Sequence, residues 1–195
     1  MCEGNICRSA FASAVLRDRL ATHGIDVTSA GTGALVGSDV DPLARLAAQR
    51  LVGEFGPWSA RQLTSEIIAG ADLILSATRE QRDQVAALDP RTLSRVFALR
   101  DFSALLEQWD HLTSPRGGSA SLVAQLVAIA NEHRGMSVMA QAGTIDIADP
   151  YRRGEAAFDR MQEEMLPSLE HIEAAVTALS GLRAQRSAPR AGQPD

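Results

Sequence analysis

An α/β fold, an open parallel sheet of about four strands flanked by helices, follows from two observations on this 195-residue chain. Short apolar runs alternate with longer segments whose apolar residues recur at helical spacing, the pattern of strands joined through crossover helices. One of those runs, Ala71-Asp72-Leu73-Ile74-Leu75-Ser76-Ala77, is almost wholly apolar, as a strand covered on both faces requires. An apolar fraction of 45% is enough for one sizeable core at this length.

The elements follow in order. Residues 9–20 carry apolar side chains at helical spacing, with Ser9 as the expected cap. A short strand is expected at 25–30, and a helix at 42–51 with Leu43, Leu46, Ala47 and Leu51 on one face. A short helix at 63–69, the strand at 71–77, a helix at 80–88 and a strand at 95–99 complete the alternation. The turn-rich stretch 114–119 precedes a helix at 120–130 capped by Ser119, with Leu122, Val123, Leu126, Val127 and Ile129 on its apolar face. That helix either extends the core or serves as a lid beside a site. From 158 to 182, Phe158, Met161, Met165, Leu169, Ile172, Val176 and Leu179 predict a long amphipathic helix, bent or broken at Pro167. Residues 183–195, rich in Arg, Ala, Gly and Pro, are expected to be a disordered tail.

The chemistry is concentrated in Cys2-Glu3-Gly4-Asn5-Ile6-Cys7-Arg8-Ser9. The Cys-x5-Arg-Ser spacing lets the backbone curl so that successive N–H groups face an oxyanion, with the planar guanidinium of Arg8 closing the ring. Gly4 and Asn5 both tolerate positive φ and suit the turn. The loop opens a helix, whose N-terminus favours anions and activates a thiol placed there. Near the other end, Asp149-Pro150-Tyr151 is either an ordinary turn or an aimed carboxyl, since Pro150 restricts Asp149 to an extended conformation. No Cys-x2-Cys pair exists and the four histidines are scattered, so no metal or other cofactor is expected. A net charge of −5 gives no general reason to bind nucleic acid or an anionic membrane. No apolar run approaches the roughly 20 residues of a membrane span. With no signal-peptide pattern and two cysteines too few for a disulfide scaffold, the expected compartment is the cytoplasm.

The loop resembles the signature of the low-molecular-weight protein tyrosine phosphatases, a family that shares its fold with one class of arsenate reductases. Ser29-Ala30-Gly31-Thr32, Ser59-Ala60-Arg61-Gln62-Leu63, Ala71-Asp72-Leu73-Ile74-Leu75 and Ile147-Ala148-Asp149-Pro150-Tyr151 occur in the family's order. The likeness spans one domain, about 1–182, with an atypical insert at about 102–142. It implies a phosphatase acting on phosphotyrosine in proteins or on a small phosphate ester, with Cys2 as nucleophile, Arg8 stabilising the phosphoryl oxygens and Asp149 as general acid. It further implies that Glu3, Gly4, Asn5, Ile6, Cys7, Ser9 and Tyr151 bind substrate. Ser9 would hydrogen-bond the Cys2 sulfur, and Asn5 would hold the strained turn. Cys7 is either a small core residue or a redox partner of Cys2.

Four departures qualify the resemblance. Ala10 stands where a proline is usual, Ala34-Leu35-Val36-Gly37 where many members carry an aromatic, and Trp58 where some carry a His in a supporting network. The fourth is an apolar strand, which the family places before its cysteine. That first strand is expected to be missing from this chain, with Met1 at the position of a valine whose GTG codon can be read as a start. An arsenate reductase using an external small thiol, or an inactive anion-binding module, are the competing readings.

Overall fold

Two parallel strands, β1 (Ile74–Ser76) and β2 (Val96–Ala98), pair with Ile74 opposite Val96 and Ser76 opposite Ala98 in this computed structural model, which describes residues 1–110, 120–134 and 145–187. The buried α-amino group of Met1 donates to the Leu75 carbonyl, and Ala77 N donates to Met1 O at 2.9 Å. Met1 therefore lies parallel to the end of β1. Single parallel bridges then join Cys2 to Gly31 and Gly31 to Gln62. Residues 25–30 are not a strand, contrary to expectation: the pairing here is confined to the isolated bridges at Gly31, and no ladder extends along 25–30.

Helices cover the sheet. α1 (Arg8–Arg19) packs against α2 (Pro42–Val52), and α3 (Ser65–Ala69) precedes β1. The N-caps of α2, α3 and α4 (Arg79–Leu88) are side-chain caps from Asp41, Thr64 and Thr78, which satisfy otherwise orphaned N–H groups. The 95–99 strand ends one residue early, because Leu99 opens α5 (Leu99–Leu106), whose Phe102, Leu105 and Leu106 are core residues. α6 (Leu122–His133) is capped by Ser121, which accepts from Ala124 N. Ser119, the expected cap, lies outside the described residues. Leu122, Leu126, Ile129 and Ala130 bury α6 against α5 and α7. Its far end is tied to the start of β2 by Asn131 Nδ2 to Ser94 O (2.7 Å) and Arg134 Nη2 to Val96 O (2.9 Å). The described helix thus extends the core, as the first of its two readings had it.

α7 (Glu155–Ser187) runs unbroken through Pro167. Proline removes one ladder hydrogen bond, but Met165 and Leu169 on either side are buried and hold the helix on the core. Residues 183–187, expected in the tail, are its last helical residues; 188–195 lie outside the described residues.

Candidate active site

The Cys2–Ser9 segment leaves the carboxyl end of the sheet and curls into a closed loop. Every carbonyl along it is tied outward. Cys2 O accepts from Thr32 N (3.0 Å), Glu3 O from Gly33 N (3.2 Å), Gly4 O from Leu35 N (3.1 Å) and Ile6 O from Asp41 N (2.9 Å). Asn5 O accepts from Trp58 Nε1 at 3.1 Å, and Cys7 O from Phe11 N at 2.9 Å. In a trans peptide the next N–H points opposite to the carbonyl, so the N–H groups of Glu3 through Arg8 all face the inside of the loop. None donates to an acceptor among the described residues. Helix α1 likewise begins without a side-chain cap. Ser9, the expected cap, is already the second residue of the helix, and its hydroxyl lies 3.0 Å from Cys2 Sγ instead.

Asn5 is the hinge of the curl. Its φ is 57°, it is fully buried, and its side chain consumes its own polar atoms: Nδ2 donates to Ser9 Oγ at 2.9 Å and to Ser29 Oγ, and Oδ1 accepts from Arg61 N at 3.0 Å. An amide that makes three hydrogen bonds offsets the cost of a left-handed backbone. Gly4 does not share that conformation, contrary to expectation: its φ is not positive, and a Cβ there would meet Ile6 and Leu35 only at ordinary contact distances. The glycine the loop cannot do without is Gly31, where a Cβ would sit 2.0 Å from the Glu3 carbonyl oxygen.

Arg8 is 4% exposed and spans the loop to the segment before α7. Nη1 donates to Ile147 O at 3.1 Å and Nη2 lies 3.0 Å from Asp149 Oδ2, whereas the buried Nε has no partner among the described residues. Arg8 of the loop and Asp149, distant in sequence, are thus brought into contact. Asp149 is held there by three contacts: Ile147 N donates to Ala77 O (3.0 Å), Ala148 N to Glu164 Oε2 (2.9 Å), and Tyr151 N to Asp149 Oδ1 (3.3 Å). Asp146 faces away, accepting from Arg79 N at 2.7 Å at the start of α4. Tyr151 is half-buried beside Asp149, while Glu3 is exposed and Ile6 buried. Leu35 and Val36 stand exposed on the Gly4 side of the mouth. Both cysteines are unbridged and buried; burial, with Asp41 adding to it, pushes the Cys7 thiol well up.

A loop of inward amides, a buried unsatisfied guanidinium N–H and a cysteine sulfur at its base form a cradle suited to an oxyanion, with a thiol under it. Residues 1–137 match the family profile described as low molecular weight phosphotyrosine protein phosphatase. The chain belongs to that family. One low-molecular-weight relative, a probable protein-tyrosine-phosphatase EpsP of Ralstonia nicotianae, is 37% identical over 110 residues, 56% of this chain and 72% of that protein. Among solved structures, the YwlE arginine phosphatase of Geobacillus stearothermophilus superposes with a TM-score of 0.59 at 20% identity, covering 95% of this chain and 91% of that one. The tyrosine phosphatase Wzb of Escherichia coli K30 in complex with sulphate superposes with a TM-score of 0.55 at 20% identity, covering 95% and 94%. These two likenesses carry the fold.

The profile match ends before Asp149, so the case for that residue rests on its contact with Arg8. Sequence reasoning did not single out Ser29, Gly33, Asp41 and Arg61 as parts of the site. The one local hint was the Gly31-Thr32-Gly33 run, which marks a close backbone approach.

Proposed function

We propose that this low-molecular-weight phosphatase hydrolyses phosphotyrosine in proteins through a cysteinyl-phosphate on Cys2. The observation that carries the reading is the ring of unpaired loop N–H groups closed by the free Nε of Arg8, with Cys2 Sγ at its base. Those donors stabilise the equatorial oxygens of the transferring phosphoryl group, whose charge is greatest in the transition state. The Cys2 thiolate attacks phosphorus in line and forms the S–P bond as the P–O bond breaks. Asp149, in its acid form, gives its proton to the departing phenolic oxygen. Water then attacks the same phosphorus and passes a proton back to Asp149, while the S–P bond breaks to release thiolate and inorganic phosphate. The Ser9 hydroxyl, 3.0 Å from the sulfur, stabilises the departing thiolate. Residues 1–182 make up the catalytic unit in this reading.

Among the described residues no helix is long and apolar enough to cross a membrane. A nucleophilic thiol also works best in reducing surroundings, which favours the cytoplasm.

Cys2→Ser tests the assignment. Turnover of phosphotyrosine peptides should vanish while inorganic phosphate still binds, because the amides and Arg8 remain. Comparable turnover by the serine variant refutes the reading. Reduction of arsenate coupled to oxidation of an added thiol, without ester hydrolysis, would favour the reductase, and phosphate binding by a wild-type chain with no turnover the inactive module.

A further inference from the structure

Only two residues other than glycine have positive φ among the described residues, Asn5 at 57° and Arg152 at 59°. The first shapes the oxyanion loop. The second lies three residues beyond Asp149, in a turn closed by Arg153 N to Pro150 O at 3.0 Å and followed by Gly154 at φ 77°. A long side chain held in the left-handed region is strained, and such residues cluster where function requires them. The strained turn presents two exposed arginines side by side. The Arg152 guanidinium lies 5.0 Å from the Tyr151 ring centroid, the geometry of a cation–π contact that keeps it at the mouth of the site. No ion pair among the described residues uses Arg152 or Arg153. Two unneutralised cations are thus fixed within about 14 Å of chain from the acid that meets the scissile bond.

We propose that Arg152 and Arg153 are specificity residues that bind acidic side chains adjacent to the phosphorylated residue, so that the preferred substrate is an acidic phosphotyrosine segment. This rests on the phosphatase reading above. Because both arginines are solvent-exposed, their contribution is a modest, salt-screened gain in substrate capture and leaves the chemical step alone.

The test compares phosphotyrosine peptides flanked by glutamate, alanine or lysine, with para-nitrophenyl phosphate as an ester too small to reach Arg153. Wild type should prefer the glutamate peptide over the alanine peptide by about five- to tenfold in kcat/KM, mostly through KM, and the preference should shrink at high salt. Arg153→Glu should abolish or invert the order toward the lysine peptide, and Arg152→Glu/Arg153→Glu should do so more strongly. In Arg153→Glu, hydrolysis of para-nitrophenyl phosphate should change less than about twofold, a surface substitution away from the loop. Equal kcat/KM for the three peptides in wild type, or a preference that survives both variants, overturns the proposal while hydrolysis of para-nitrophenyl phosphate leaves the phosphatase reading standing. If no ester is hydrolysed, both fall.

Discussion

Replacing Asp149 with asparagine should tighten phosphate binding while it cripples catalysis. The Asp149 carboxylate sits 3.0 Å from Arg8 Nη2, on the guanidinium that a phosphoryl group needs. Substrate must therefore displace Asp149 before the loop is fully engaged. Arg8 is 5% exposed at its side chain and Asp149 40%, so solvent screens the pair and its worth is about 1–2 kcal/mol, between an exposed ion pair and a buried one. At 1.4 kcal/mol per tenfold, removing the charge should tighten inorganic phosphate by roughly 5–30-fold. The same change removes the acid, so esters with basic leaving groups should slow by about 10²–10⁴-fold. Para-nitrophenyl phosphate, whose phenol leaves readily, remains a usable substrate, and competitive inhibition by phosphate reads the affinity directly. Asp149→Ala keeps the experiment clean of any hydrogen bond from the new amide's neighbours. Asp146→Asn, which alters only the acceptor for Arg79 N, should leave both quantities near wild type. A phosphate constant that is unchanged or weaker in both Asp149 variants would refute the competition for Arg8.

Trp58→Phe deletes the N–H that holds Asn5 O; kcat/KM should fall by about tenfold, the cost of one orphaned buried carbonyl, with intact folding by circular dichroism. Gly31→Ala places a methyl group against the Glu3 carbonyl, 2.0 Å away before relaxation, and should cost about 2–3 kcal/mol of stability and most of the phosphate affinity, read by urea melts and titration. Burial lowers the pKa of the Met1 α-amine below its ordinary value of about 8. The unfolded chain therefore binds more protons than the folded one between that lowered value and about 8, so stability should rise with pH through this window and level off above it; a urea midpoint that falls over the same window would contradict the buried amine. Both thiols are buried, but burial pushes that of Cys7 up, so iodoacetamide at neutral pH should modify Cys2 first, as peptide mass mapping would show.

The Cys2–Ser9 loop was legible because its parts are consecutive: Cys2, Arg8 and Ser9 fall within one turn of chain and one helix start. Asp149 stood out because Pro150 and Tyr151 mark it, and its carboxylate meets Arg8 across the fold. What the sequence hid is the support. Ser29, Gly33, Asp41 and Arg61 act through backbone groups or single hydroxyls at long range, and such contacts leave no local pattern. The strand at 25–30 failed for a related reason, since strand character depends on neighbours across the sheet and pairing here is confined to single bridges at Gly31, to Cys2 and to Gln62. Of the bend or break expected at Pro167, the break was overruled by packing, with Met165 and Leu169 burying the helix on both sides.

The outward ties of the loop carry a consequence for how the site comes into being. Thr32, Gly33, Leu35, Asp41 and Trp58, which hold five of its carbonyls, are all at least thirty residues further along the chain. A synthetic peptide of the first eleven residues would have the signature and none of the cradle, because its carbonyls and amides would be free to turn toward water. Closing the intervening loops costs chain entropy that only the assembled core repays. Phosphate affinity is therefore a property of the docked 31–41 segment, and a local opening of that segment would empty the site while α1 stayed helical. Bound phosphate, in turn, would bolt the segment down, making the ligand a structural staple for a stretch of chain it never touches.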